Sequence, residues 1–178
     1  MAADAGFAVW LTGMPASGKT TLAHALQTHL AAQGIPTILL DSDDLRPILT
    51  PQPTYTPGEH DRFYAILGQL AAWLTRQGLN VLIAATANRR AYRDQARRLI
   101  PRFAEVYVAC SLATCQARDP KGIYARAQAA AQDTVPGLGA AYEPPLTPEA
   151  TINTEALSPA AAAAAVLTQL PEDVVNGY

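Results

Sequence analysis

Lysine is nearly missing from this chain. Of its 13 basic residues, 11 are arginine, and only Lys19 and Lys121 are lysine. Net charge is −2, so no bulk field favours a nucleic acid or a membrane surface. Cysteine is equally scarce: Cys110 and Cys115 flank the four residues Ser-Leu-Ala-Thr, with no second pair and no histidine at ligand spacing. That pattern speaks against a disulfide framework or a zinc site and for two reduced structural thiols. The start, "MAADAGFAVWL", lacks a basic region, carries Asp4 and has too short an apolar run for a signal peptide or a membrane span. The expected location is therefore the cytoplasm. There is no internal repeat, and no Asn-Lys-x-Asp stretch of the kind that reads guanine.

What remains is ordinary globular material. The chain has 178 residues, 49% of them hydrophobic and 16% charged, which suits one domain over residues 1–178 with one full core. Strand-like apolar runs lie at Phe7–Thr12, Thr37–Leu40, Val81–Ala85 and Val106–Cys110, with a weaker one at Ala150–Asn153. Helical patterns fall between them at Thr20–Ala32, His60–Gln77, Ala91–Ile100 and Leu112–Arg118. "LSPAAAAAAVLTQL" reads as a last helix capped by Ser158 with Pro159 in its first turn. Alternating strands and helices predict an α/β fold, a parallel sheet covered on both faces. Gly34, Gly78 and Pro101 stand where helices should stop. Two stretches, 50–58 and 131–148, are rich in Pro or Gly and fit no regular element; such loops tend to be functional.

Residues Gly13–Thr20, "GMPASGKT", match G-x-x-x-x-G-K-[ST] between a strand and a helix. Glycines at those positions let successive backbone N–H groups turn toward phosphate oxygens, at the positive end of a helix dipole. The candidate ATP-binding residues here are Gly13, Met14, Pro15, Ala16, Ser17, Gly18, Lys19, Thr20 and Thr21. Lys19 is expected to reach the β- and γ-phosphates, and the Thr20 hydroxyl to ligate Mg²⁺. The four residues 119–122, "DPKG", match the GTPase D-x-x-G formally but follow a helix. Small ATP-using kinases are thus the leading class.

"LLDSDDLR", residues 39–46, ends the second strand, at the carboxyl edge of the sheet where such folds bind ligands. A carboxylate there can take or orient the proton of an acceptor hydroxyl; Asp43 is the candidate, against the plainer reading of an acidic cap. Arg46, three residues on, can hold an anionic acceptor. Six arginines between Arg89 and Arg102 form either an anion-lined edge or a solvated helix face. The solvated face is preferred for all but Arg90. His24 and His29 read as surface or packing residues, and Trp10 and Trp73 as core or subunit-contact residues. Tyr55, an aromatic in a proline-rich loop, is a candidate base-stacking residue.

With these motifs assembled, the chain resembles adenylylsulfate kinase, a P-loop kinase family. The resemblance rests on the phosphate loop, "LDSDDLR", "YTPGEHDR", "ANRRAYRDQAR", "EVYVACSLATCQARDPKGIYARA" and "PGLGAAYEPP". It implies transfer of the MgATP γ-phosphate to the 3′-hydroxyl of adenylyl sulfate. It also implies Asp43 as acid/base group, Arg46 on the acceptor side, Arg118, Asp119 and Lys121 near the nucleotides, and a mobile lid over about 119–147. Tyr55, Arg90, Lys121 and Val135 complete the candidate acceptor set. The chain departs from the family pattern at five positions. His60 stands for an arginine, Phe63 for an asparagine, Ala87 for a serine, Asp133 for a lysine and Val135 for a stacking phenylalanine. The ATP side is thus expected to be intact and the acceptor side edited. A different anionic, nucleotide-linked acceptor and a non-catalytic nucleotide-binding module are the alternatives, and a homodimer is left open.

Overall fold

The computed structural model describes residues 5–129 and 134–175. In chain order the elements are β1 (Ala8–Thr12), α1 (Lys19–Ala32), β2 (Thr37–Asp41), α2 (Ser42–Leu49), α3 (Pro57–Arg76), β3 (Asn80–Ala84) and α4 (Arg90–Leu99). Then come β4 (Phe103–Ala109), α5 (Leu112–Arg118), α6 (Ile123–Ala129), β5 (Ala150–Asn153), α7 (Pro159–Gln169) and α8 (Glu172–Val175). The five strands form one parallel sheet in the order β2-β3-β1-β4-β5. The chain leaves β1 toward β2 on one side and later crosses β1 from β3 to β4 on the other, so the strand order switches at β1, and a crevice opens past its carboxyl end.

Both faces are buried, which is why β1 and β3 read as continuous apolar runs. On one face α1 and α7 pack Leu22, Leu26, Leu30 and Val166 against Val9 and Leu11. On the other, α3 and α4 pack Leu67, Ala71, Tyr92 and Ala96 against Trp10 and Ile83. Trp10 is a core residue, whereas Trp73 is 53% exposed. Helix α1 stops at Gly34, whose φ of 77° no side-chain-bearing residue adopts cheaply. The Ile35 N–H then donates back to the Leu30 carbonyl, as in a Schellman turn. Ser158 caps α7 by accepting from the Ala161 N–H. No helix among the described residues is long and apolar enough to cross a membrane.

Several features differ from the sequence expectations. Strand β4 begins at Phe103, three residues before the apolar run. Glu105 interrupts the pattern there, yet it is only 6% exposed, because Arg93 of α4 pairs with it. Helix α2 was not anticipated: it buries no residue and contains Pro47, so neither periodicity nor propensity announces it. Helix α6 is likewise new and lies within the otherwise irregular stretch that precedes β5. The solvated-face reading fails for Arg93, which is 1% exposed. Its Nε pairs with Glu105 and its guanidinium also donates to the carbonyls of Ala87 and Glu143. Arg97 forks onto both Glu149 oxygens at 2.6 and 2.8 Å.

Candidate active site

The turn after β1 is shaped by close approach. A Cβ on Gly13 would lie 2.5 Å from the Val108 carbonyl oxygen, and Gly18 has φ 100°. The chain therefore curls tightly and delivers Lys19 and Thr20 as the first residues of α1. Lys19 Nζ donates to the carbonyls of Gly13 and Met14 at 3.0 and 2.8 Å. Enclosure in the loop lowers its pKa to about 8, although Asp43, Cys115 and Asp41 oppose the shift. Thr20 Oγ1 donates to Asp41 Oδ2 at 2.6 Å.

Asp41 is the last residue of β2 and is 4% exposed. Its second oxygen accepts from the Asp43 N–H at 2.9 Å and so caps α2. That cap explains the short helix, which in turn places Asp43 and Arg46 one turn apart on the same face. Arg46 is gripped from behind by α3: its guanidinium carbon lies 4.0 Å from the Phe63 ring centroid, and Nη1 is 3.5 Å from Glu59 Oε1. The Tyr55 ring is 5.5 Å from it on the loop side. Glu59 holds that loop by accepting from Thr54 and from the Tyr55 N–H. His60 stacks on Tyr64 at 6.1 Å, and Tyr64 on Tyr92 at 4.7 Å. Burial and the neighbouring Arg46 lower the His60 pKa below its usual 6.5, so the ring is neutral at pH 7.

Residues 119–129 and 134–147 close one side. Lys121 Nζ donates to Asp43 Oδ2 at 2.6 Å, and this hydrogen bond raises the lysine pKa. The Asp119 carboxylate accepts from the N–H groups of Ile123 and Ala125 and so starts α6. The buried Tyr124 hydroxyl donates to the Pro15 carbonyl of the phosphate loop at 3.1 Å. At the far end, the Glu143 N–H donates to the Asn88 carbonyl, and the Asn88 side-chain amide donates to the Ala141 carbonyl. Arg118 donates to Thr154, whose hydroxyl donates to the Ser17 carbonyl at 2.7 Å.

All of this lines one cleft of about 1320 Å³. It brings together Lys19, Thr20, Thr21, Asp43, Arg46, Tyr55, Arg118, Lys121 and Val135. Of the loop, Pro15, Ala16 and Gly18 also face it, while Gly13, Met14 and Ser17 support it from behind. Arg90 does not line the cleft: its N–H and side chain engage Glu143 and Pro144, and its neighbour Arg89 faces the cleft instead. Phe63 is buried, and Ala87 is buried with φ 41°. Asp133 lies outside the described residues. Asp41, Thr154, Tyr64 and Tyr92 join the site without having been singled out from sequence. Asp41 and Thr154 were legible in principle, since they end β2 and follow β5 at the sheet's carboxyl edge. The two tyrosines sit in amphipathic helices, where nothing separates a cleft wall from a core position. Cys110 and Cys115 are free thiols outside this chemistry.

A phosphate loop at the switch point of a parallel sheet, facing a carboxylate and an arginine across one cleft, defines a P-loop kinase. A sequence-family model described as adenylylsulphate kinase matches residues 5–153. Adenylyl-sulfate kinases from Rippkaea orientalis and Burkholderia ambifaria are 38% and 37% identical to the chain. The first match covers 84% of this chain and 83% of the relative; the second covers 96% of each. The Mycobacterium tuberculosis APS kinase CysC, solved with AMPPNP and APS, superimposes with a TM-score of 0.86 at 29% identity, over 93% of this chain and 97% of that one. The chain belongs to the adenylylsulphate kinase family.

Proposed function

We propose that this protein transfers the γ-phosphate of MgATP to the 3′-hydroxyl of adenylyl sulfate. The observation that carries the reading is the placement of Asp43 and Arg46 on one face of α2, across the same cleft from Lys19 and Thr20. The loop amides and Lys19 bind the ATP phosphates. Lys19 spreads its charge over the migrating phosphoryl group. Arg46 holds the anionic end of the acceptor. Asp43 orients the acceptor hydroxyl and accepts its proton as the oxygen attacks.

Magnesium suits the residues present. Thr20 Oγ1 and Asp41 Oδ2 are adjacent hard oxygen donors, and no cluster of three His, Cys, Asp or Glu among the described residues forms an all-protein cage. Mg²⁺ favours such a site, with phosphates and waters completing its shell. When bound, it neutralises charge on the β- and γ-phosphates. Thr20 would hold it, and Asp41 orients the Thr20 hydroxyl by accepting its hydrogen bond.

The 119–147 segment acts as the lid that excludes water. Its bonds from Lys121 to Asp43 and from Tyr124 to Pro15 tie it to the acceptor side and to the phosphate loop. Val135, Tyr55 and Arg118 contact the nucleotides, and Arg90 secures the lid's far end. The enzyme works in the cytoplasm, and its assembly state is read by light scattering, with a homodimer as the first alternative to a monomer. The test is acceptor-dependent ADP release from MgATP with adenylyl sulfate, with the phosphorylated product identified by mass. ADP release that adenylyl sulfate does not stimulate overturns the reading. Stimulation by a different anionic nucleotide alone favours the relaxed acceptor that neutral His60 permits.

A further inference from the structure

We infer that Phe63 is the positioning residue that aims the Arg46 guanidinium into the acceptor site, a role the family pattern does not assign to that position. The inference rests on the reading of Arg46 as the acceptor's anion-binding group and adds how this chain holds it. Phe63 is 1% exposed and lies on the α3 face that also carries Glu59. The two are four residues apart, so both meet Arg46 from the same side. The 4.0 Å separation between guanidinium carbon and ring centroid is close stacking, well inside cation–π range. The Tyr55 ring at 5.5 Å bounds the guanidinium elsewhere.

The hydrogen-bonding state of the guanidinium points to a ligand. Its Nη1 is buried and has no hydrogen-bond partner among the described residues, although Glu59 Oε1 is 3.5 Å away. A buried donor left unused is costly unless something completes it. A guanidinium stacked on a ring keeps its in-plane N–H groups free for a planar or tetrahedral oxyanion. Glu59 Oε1, also without a hydrogen bond, faces this donor at 3.5 Å as an ion pair, while its other oxygen is held by Thr54 and Tyr55. An asparagine at this position would offer an amide to the site. Phenylalanine instead withdraws behind Arg46 and fixes its direction, which compensates for a neutral imidazole at His60.

The experiment compares Phe63→Leu and Phe63→Met, which stay apolar and remove the ring at a modest loss of buried volume, with Arg46→Ala and with the Phe63→Leu/Arg46→Ala double variant. Thermal unfolding controls for packing. Each Phe63 change should raise the KM for adenylyl sulfate by roughly 5- to 20-fold while kcat and the KM for ATP hold. In the Arg46→Ala background, Phe63→Leu should add little, as expected of coupled neighbours. Fully multiplicative effects, an unchanged acceptor KM, or an equal rise in the KM for ATP overturns the inference. Side-chain ¹⁵N NMR of Arg46 reads the positioning without any acceptor. Phe63→Leu should speed rotation about the guanidinium Nε–Cζ bond, and no change there overturns the inference. Absence of wild-type turnover with adenylyl sulfate would instead refute the proposed function and leave the NMR comparison decisive.

Discussion

Replacing Arg93 by methionine is the sharpest test of how the site is held. The guanidinium is enclosed between α4, β4 and the chain around Glu143, paired with Glu105 and donating to the Ala87 and Glu143 carbonyls. Methionine keeps much of the length and loses every donor. Among the described residues, the Glu105 side chain, 7% exposed, then keeps only the Arg97 ion pair at 3.6 Å. Breaking a buried ion pair on one side costs about 3–5 kcal/mol, because a lone charge stays behind. For a chain of this size each kcal/mol shifts Tm by about 3 °C, so Tm should fall by roughly 9–15 °C. Calorimetry at pH 7 measures this. Adding Glu105→Gln should restore part of the loss, since no uncompensated carboxylate remains. At temperatures where the single variant is still folded, its acceptor KM should rise, because Ala87 and Glu143 lose their common anchor. A Tm within 3 °C of wild type, or a double variant less stable than the sum of the two single changes, would refute the reasoning.

Asp43→Asn should lower kcat by about 10²- to 10⁴-fold with little change in the Kd for ATP, and single-turnover kinetics with equilibrium binding separates the two. Because Lys19 titrates at about 8 in its loop, and bound phosphate favours the ammonium form, ATP binding at pH 8 should take up about half a proton per site, and almost none at pH 6. Calorimetry in buffers of different ionisation enthalpy reads this, and Lys19→Ala should abolish both the uptake and nearly all turnover. By linkage, the unligated protein gains a stability contribution from this lysine as pH rises from about 8 to 10.5, where the unfolded chain binds more protons. His60→Arg should lower the KM for adenylyl sulfate by about tenfold. In wild type the KM should fall only as pH drops below 6.5, where the ring gains a proton that burial, Arg46 and Arg89 resist and Glu59 and Asp61 favour; a flat profile with an inert arginine variant would remove His60 from the acceptor site.

The phosphate loop, the five strands and most helices were legible because their signals are local. Glycines at fixed spacing, apolar runs and Ser158 ahead of Pro159 each act within a few residues of themselves. The start of β4 was hidden because the partner that lets Glu105 be buried comes from another helix. Helix α2 was hidden because it is made by one cap, Asp41, and one tertiary grip, α3 on Arg46, rather than by propensity. The arginines of α4 look alike in sequence. Only the packing separates Arg93, which is enclosed, from Arg89, which faces the cleft.

The family departures divide on the same physical line. At position 87 the structure uses the backbone: the carbonyl accepts from Arg93, φ is 41°, and the side chain is fully enclosed. An alanine in place of a serine removes a hydroxyl there but leaves the carbonyl and the turn in place, so direct in-line transfer loses no group that touches the phosphates. At position 63 the change moves the side chain out of the cleft and under Arg46. At position 60 it replaces a fixed charge with a neutral ring inside an aromatic stack. The first change is silent toward the acceptor. The second strengthens one cation, and the third withdraws another. On the proposed reading, an acceptor site without a fixed charge at position 60 leans more heavily on Arg46, beside the Arg89 and Lys121 that also line the cleft, and its affinity for an anion is correspondingly more sensitive to Arg46.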